Sequence, residues 1–126
     1  MNAHHAVETT RNTYLVSHLN RFYGDTSSHP HNVTEVDVNG RVIRTFNDDI
    51  DNSVRLNTPW YLVLDNDHVM VADNYNKRII LLKSDLQFRR ILIKELHGKQ
   101  PERMCLTSSR LIIVSYRSTD IDVFRV

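Results

Sequence analysis

Seven histidines in a chain of 126 residues are the first groups able to do chemistry, since neutral imidazole ligates metals and titrates near neutrality. Their spacing does not make a centre. His4 and His5 are adjacent, which on a regular strand points them to opposite sides, and His29-Pro30-His31 is a lone HxH pair in loop-forming sequence. Neither pair brings a cysteine or carboxylate at zinc-site spacing, so no metal and no cofactor are expected. The one cysteine, Cys105, excludes an intrachain disulfide, and its place in the apolar run Met104-Cys105-Leu106 predicts a small buried core residue rather than a reactive thiol. No G-x-S-x-G nucleophile elbow is present, three glycines cannot build a phosphate cradle, and no carboxylate dyad falls on facing strands. Asn32-Val33-Thr34 has the form of an N-glycosylation acceptor, which matters only in a secreted chain. A binding protein is expected, not an enzyme.

What remains is recognition chemistry: aromatic rings interleaved with basic groups. Such sets suit single-stranded RNA, because cations meet phosphates while ring faces stack bases. They suit a protein partner equally, since Tyr and Arg are frequent hot-spot residues.

The elements that must position these groups are strands. With 40% apolar and 25% charged residues the chain has the composition of a soluble globular domain. Residues 1–63 carry five Lys/Arg against seven Asp/Glu, and 64–126 carry eleven against eight, a lean too slight to select a polyanion. The start, Met1-Asn2-Ala3-His4-His5-Ala6-Val7-Glu8, has neither the basic head nor the apolar core of a signal peptide, and no window is long and apolar enough to cross a membrane. A cytoplasmic setting without a membrane partner is expected.

Internal repetition dominates. Pro59-Trp60-Tyr61-Leu62-Val63-Leu64-Asp65 aligns with Pro101-Glu102-Arg103-Met104-Cys105-Leu106-Thr107 at a spacing of 42, and Arg78-Ile79-Ile80-Leu81-Leu82 aligns with Asp120-Ile121-Asp122-Val123-Phe124 at the same spacing. A more divergent copy lies upstream. Tyr14-Leu15-Val16-Ser17-His18 superposes on Val69-Met70-Val71-Ala72-Asp73 at a spacing of 55, which extended without a gap sets Ala6-Val7 on Tyr61-Leu62. Val33 to Asp37 then meets Ile79 to Lys83 at 46, locating nine extra residues between the second and third strands of the first copy. Each copy reads as short strands rich in Val, Ile, Leu, Tyr and Phe, divided by Asn/Asp/Gly/Ser turns. In the clearest copy, strands A to D are 60–65, 68–73, 78–83 and 87–93. A period of about 40–45 residues with four strands per unit is the signature of a propeller blade. The predicted fold is all-β: a partial β-propeller of about two and three-quarter four-stranded antiparallel blades, divided as 4–46, 47–93 and an incomplete 94–126.

The stretch from Asn57 to Ile79, with Pro59, an apolar strand ending in Asp65, then Val71-Ala72-Asp73-Asn74-Tyr75-Asn76-Lys77-Arg78-Ile79, resembles an NHL repeat, whose usual form is V-A-D-x-x-N-x-R-I after such a strand. The flanking copies are looser, with Val16-Ser17-His18 and Val114-Ser115-Tyr116 at the V-A-D position. The resemblance implies a six-bladed ring whose remaining blades come from the same, longer chain or, less readily, from another chain. It also implies structural roles for Pro59, Asp65, Asp73, Asn76 and Arg78, with Asp73 accepting hydrogen bonds in the turn after its strand and Arg78 bracing a neighbouring blade. The similarity is greatest to the propeller of tripartite-motif NHL proteins, which implies the targeting half of a ubiquitin-ligase-type protein. The alternative it leaves is part of a six-bladed lyase or lactonase, and a third is an extracellular receptor propeller.

In such blades the A–B and C–D turns emerge at one end and the B–C and D–A loops at the other. The first set is tight (Asn66-Asp67, Ser108-Ser109, Asn39-Gly40, Ser84-Asp85-Leu86) and the second long (19–31, 47–58, 94–101). Long loops on a rigid scaffold carry recognition, so the B–C/D–A end is the expected binding face. Its candidates are Arg21, Phe22, Tyr23, His29 and His31 from the first long loop. Tyr75, Asn76 and Lys77 come from the motif turn, His97 and Lys99 from the later crossover, and Arg117 from the last turn. The expected partner is a protein or a single-stranded RNA.

Overall fold

A computed structural model describes residues 2–19, 31–46 and 54–126. The described residues form eleven strands in three antiparallel sheets: β1 (Asn2–Glu8), β2 (Tyr14–Leu19), β3 (Asn32–Val36) and β4 (Val42–Thr45); β5 (Pro59–Asp65), β6 (His68–Asp73), β7 (Arg78–Lys83) and β8 (Phe88–Ile93); β9 (Pro101–Leu106), β10 (Arg110–Ser115) and β11 (Ile121–Arg125). Each sheet is a meander of neighbours in chain order, as short hairpin turns require. No helix among the described residues is long and apolar enough to cross a membrane.

The middle sheet is covered on both faces, which explains its near-continuous apolar strands. In β6, Val69 and Val71 face the first sheet while Met70 and Ala72 face the third; in β7 the same split separates Ile80 and Leu82 from Ile79 and Leu81. Two seams result. Leu15, Val33 and Phe46 join Leu62 and the first set, and Met104, Leu111 and Ile113 join Ile93, Leu96 and the second. Full burial of one such aliphatic side chain stabilises by about 1.5–3 kcal/mol, so these seams are what hold the sheets together. Contacts between sheets fall on the early strands, β1 and β2 with β5, and β5 and β6 with β9, so the sheets meet at their first strands. This is the arrangement of propeller blades, and the fold is a partial, all-β propeller.

Three sequence expectations are corrected by cross-strand register. Cys105 is exposed rather than buried, because alternation along β9 sends Met104 into the second seam and Cys105, opposite Ile112, to the other face. The inner strand of the first sheet sits one residue from its gapless alignment. The pairs Ala6↔Val16 and Leu62↔Val71 put Ala6 in the place of Leu62, since the turn between Glu8 and Tyr14 holds one residue more than its counterpart between Leu64 and Val69. His4 and His5 do not point to opposite sides: a bulge between Ala3 and His5 brings both rings against β5.

A polar contact also bridges the first seam. Glu35, 1% exposed, pairs with Arg11 at 3.0 Å and Arg44 at 2.9 Å, and Arg11 Nη2 donates onward to the Ser84 carbonyl of the second blade at 3.2 Å. Burial works against the ionised Glu35 carboxyl, but hydrogen bonds from Thr13 and Arg11 and the two guanidinium charges outweigh it, holding its pKa below the ordinary value.

Candidate partner-binding face

The B–C/D–A end of the second blade is organised on Asp73, the last residue of β6 and wholly buried. Its carboxylate accepts from the Asn57 backbone N at 2.7 Å, Asn76 Nδ2 at 2.9 Å and Arg78 Nε at 2.7 Å. Burial pushes its pKa up, while the three donors and the Arg78 charge pull it down without full compensation. Asn76 and Arg78 also donate to the Arg55 carbonyl, at 3.0 and 3.1 Å. The turn 74–77 is thereby clamped to the incoming crossover, helped by Asn74 N to Thr58 O and Tyr75 N to Asn57 O, both 3.1 Å. It is clamped to the next blade by Asn74 Nδ2, which reaches the Pro101 carbonyl at 2.8 Å. Lys77 closes the turn with φ 56°, and Thr58, His97 and Arg117 on the same end also have positive φ (62°, 54° and 53°), conformations that non-glycine residues adopt only when surroundings enforce them.

This plate displays some candidates and absorbs others. Tyr75 is 61% exposed and Lys77 and His97 are exposed. Arg117 lies with its guanidinium carbon 5.1 Å from the centroid of Tyr116, itself 47% exposed. Lys99, by contrast, is held by Asp122 at 2.6 Å. Asn76 is spent on the Asp73 and Arg55 contacts. His31 is partly buried, which lowers its pKa, with the Asp73 charge acting the other way. Pro59 begins β5 opposite Asp73, whereas Asp65 ends that strand at the far end of the blade, opposite His68. Arg21, Phe22, Tyr23 and His29 lie outside the described residues. Tyr116 was not among the sequence candidates: the sequence alignment sets it at the place of Asp73, but the register puts Ser115 there, which moves Tyr116 one residue on into the turn.

A second feature is invisible to strand periodicity. Each inner strand carries a bulge at the same place, after Ala3, Pro59 and Pro101, and the extra residues are His4, Trp60 and Glu102. A bulge re-aims its side chain. The His4 ring meets Trp60 with centroids 4.0 Å apart, and His5 stacks on Tyr61 at 3.9 Å. His5 Nδ1 accepts from the Leu62 backbone N at 3.0 Å, which makes the ring a neutral Nε2–H tautomer. Its pKa is lowered by burial and by neighbouring His4.

At the opposite end a cleft of about 200 Å³ opens between the A–B turns of the first two blades, with Thr9, Arg11, Asn66 and His68 on its walls. Among the described residues no group of three or more His, Cys, Asp or Glu side chains could hold a metal ion. No protein-family model and no curated protein matches the chain.

Proposed function

We propose that the chain is a binding module, most like an NHL-type propeller segment, which recognises a protein partner through its B–C/D–A face. The observation that supports this is the hydrogen-bonded plate on Asp73: it fixes the backbone beneath Tyr75, and with the bond from Tyr116 N to Gln100 O at 2.8 Å, which holds the Tyr116–Arg117 turn, it removes ordering cost that a loop would otherwise meet on binding. Aromatic and Arg groups on a rigid support are the usual anchors of protein interfaces. A polyanion partner is less well served. Among the described basic groups of this face, Arg78 is neutralised by Asp73 and Lys99 by Asp122, which takes two cations away from phosphates.

The test is a double substitution, Tyr75→Ala with Arg117→Ala, in the immobilised chain. It should keep the thermal transition of the parent and lose the proteins that the parent retains by chemical crosslinking. A labelled single-stranded RNA that bound the parent with a steep loss on raising salt, and lost that binding in the variant, would replace this reading by nucleic-acid recognition.

A further inference from the structure

The A–B turn of the first blade, longer by one residue than that of the second, is built to hold a side chain across the first seam. Thr9 Oγ1 accepts from the backbone N of Arg11 at 3.1 Å and of Thr13 at 3.3 Å, and Asn12 turns the chain with φ 61°. Arg11 is thereby aimed at the second blade. Its Nε and Nη2 donate to Glu35 Oε2 at 3.3 and 3.0 Å, and Nη2 donates also to the Ser84 carbonyl at 3.2 Å. A guanidinium carries five donors in a rigid plane, so these bonds fix its orientation and leave both Nη1 protons without a partner among the described residues. The side chain is 43% exposed and lines the cleft between the A–B turns.

The charge of this corner does not cancel. Arg11 and Arg44 face the single carboxylate of Glu35, two cations against one anion, so one positive charge is in excess. Glu8, the one acid on the cleft walls, shares a face with its cross-strand partner Tyr14, and alternation turns that face away from Leu15 and the second blade. Asn66 and His68 add side-chain donors, while Leu15, Leu64 and Val69 give the cleft an aliphatic side. Its volume of about 200 Å³ is the room of roughly six or seven waters, below the range of about 300–1,000 Å³ that drug-sized ligands occupy.

We propose that this cleft binds a small aliphatic carboxylate, the acid group on Arg11 Nη1 and the tail against Leu64 and Val69. The inference does not rest on the B–C/D–A face, which lies at the other end of the blades. One excess positive charge matches a monoanion, whereas a phosphate dianion would lack its second cation and an inorganic anion would gain nothing from the aliphatic side. Guanidinium and carboxylate pair through short, charge-assisted hydrogen bonds, and because Glu35 and Ser84 already hold the Arg11 plane, little ordering is lost on binding. Two sources supply this chemistry: a free short-chain acid, and the C-terminal carboxylate of a peptide ending in an aliphatic residue.

The experiment is a heteronuclear NMR titration of the 126-residue chain with isovalerate, with its neutral amide isovaleramide, and with a short acetylated peptide that has a free C-terminal valine. Isovalerate should move the backbone amide signals of Arg11, Asn66 and Val69 saturably. A peptide bound at least as tightly would assign the site to a chain terminus, and one bound more weakly would assign it to a free acid. Isovaleramide should bind at least about tenfold more weakly than the acid, and Arg11→Gln should weaken the acid by a similar factor. If Arg11→Gln does not fold, the contrast between acid and amide on the parent still decides. No saturable shift from either carboxylate up to about 10 mM, equal binding of acid and amide, or undiminished binding to a folded Arg11→Gln chain would each overturn the proposal.

Discussion

The imidazole Nδ1 of His5 accepts the backbone N–H of Leu62 at 3.0 Å, so the inner strand of the first blade is fastened to that of the second by a bond that exists only while Nδ1 is unprotonated. Protonation would remove the acceptor and leave the Leu62 N–H unpaired in a half-buried site.

This bond makes the chain acid-sensitive in a defined window. His5, His18 and His31 all have pKa values lowered chiefly by burial from an ordinary 6.5. Below 6.5 the unfolded chain takes up protons first, so stability falls as pH drops from that value toward the folded-state pKa values. Thermal melts at pH 7.5 and 5.5 should show a lower midpoint in acid. His5→Gln, whose amide oxygen can accept from Leu62 at either pH, should reduce the difference.

Asp73 and Arg78 should behave as scaffold. Asp73→Ala leaves the Asn57 N–H, Asn76 and Arg78 without their acceptor and is expected to cost about 3–5 kcal/mol, as for other broken buried pairs. Arg78→Ala, removing the partly buried member, should cost about 1–3 kcal/mol. Urea unfolding of both singles and the double variant would measure the coupling, and additive costs would refute a shared network.

Glu35 should matter although it lies in a blade with an open flank. Glu35→Gln keeps the shape but leaves Arg11 and Arg44 without a counter-charge, at about 1–3 kcal/mol, moderated because both guanidiniums keep roughly two-fifths of their exposure. The carboxyl's lowered pKa means that its contribution is present above 4.5 and lost as pH falls through the folded value. The variant should therefore show a shallower loss of stability below pH 4.5 than the parent.

Substitutions in the two seams should exceed those on the loop face. Ile80→Ala and Leu111→Ala, each in a fully buried site, are expected to cost about 2–5 kcal/mol through lost burial and the cavity left behind. Tyr75→Ala should stay within about 0.5 kcal/mol of the parent in the same denaturant series.

The strand content and its period were legible because they are local properties. β-branched and aliphatic runs interrupted by Asn, Asp, Gly and Ser specify short strands and tight turns wherever the chain goes, and β6 and β7 fall at the expected residues, 68–73 and 78–83. For the turn after β6 the resemblance implied an accepting Asp73 and an Arg78 bracing a neighbouring blade, whereas the Arg78 bonds described above run to Asp73 and to the Arg55 carbonyl, within the span 47–93. Which face a residue occupies is a different matter. Cys105 lies in an apolar run yet faces outward, His4 and His5 meet the same strand, and Tyr116 joins the loop face, because each outcome depends on cross-strand register and on a bulge of one residue. Glu35 sits in a strand that reads as ordinary, and the approach of Arg11 across a long sequence separation, with Arg44 and the Thr13 hydroxyl, makes its burial tolerable. Side-chain type along the chain thus specified that there would be blades. Their packing against one another, a non-local event, decided which groups each blade covers and which it presents.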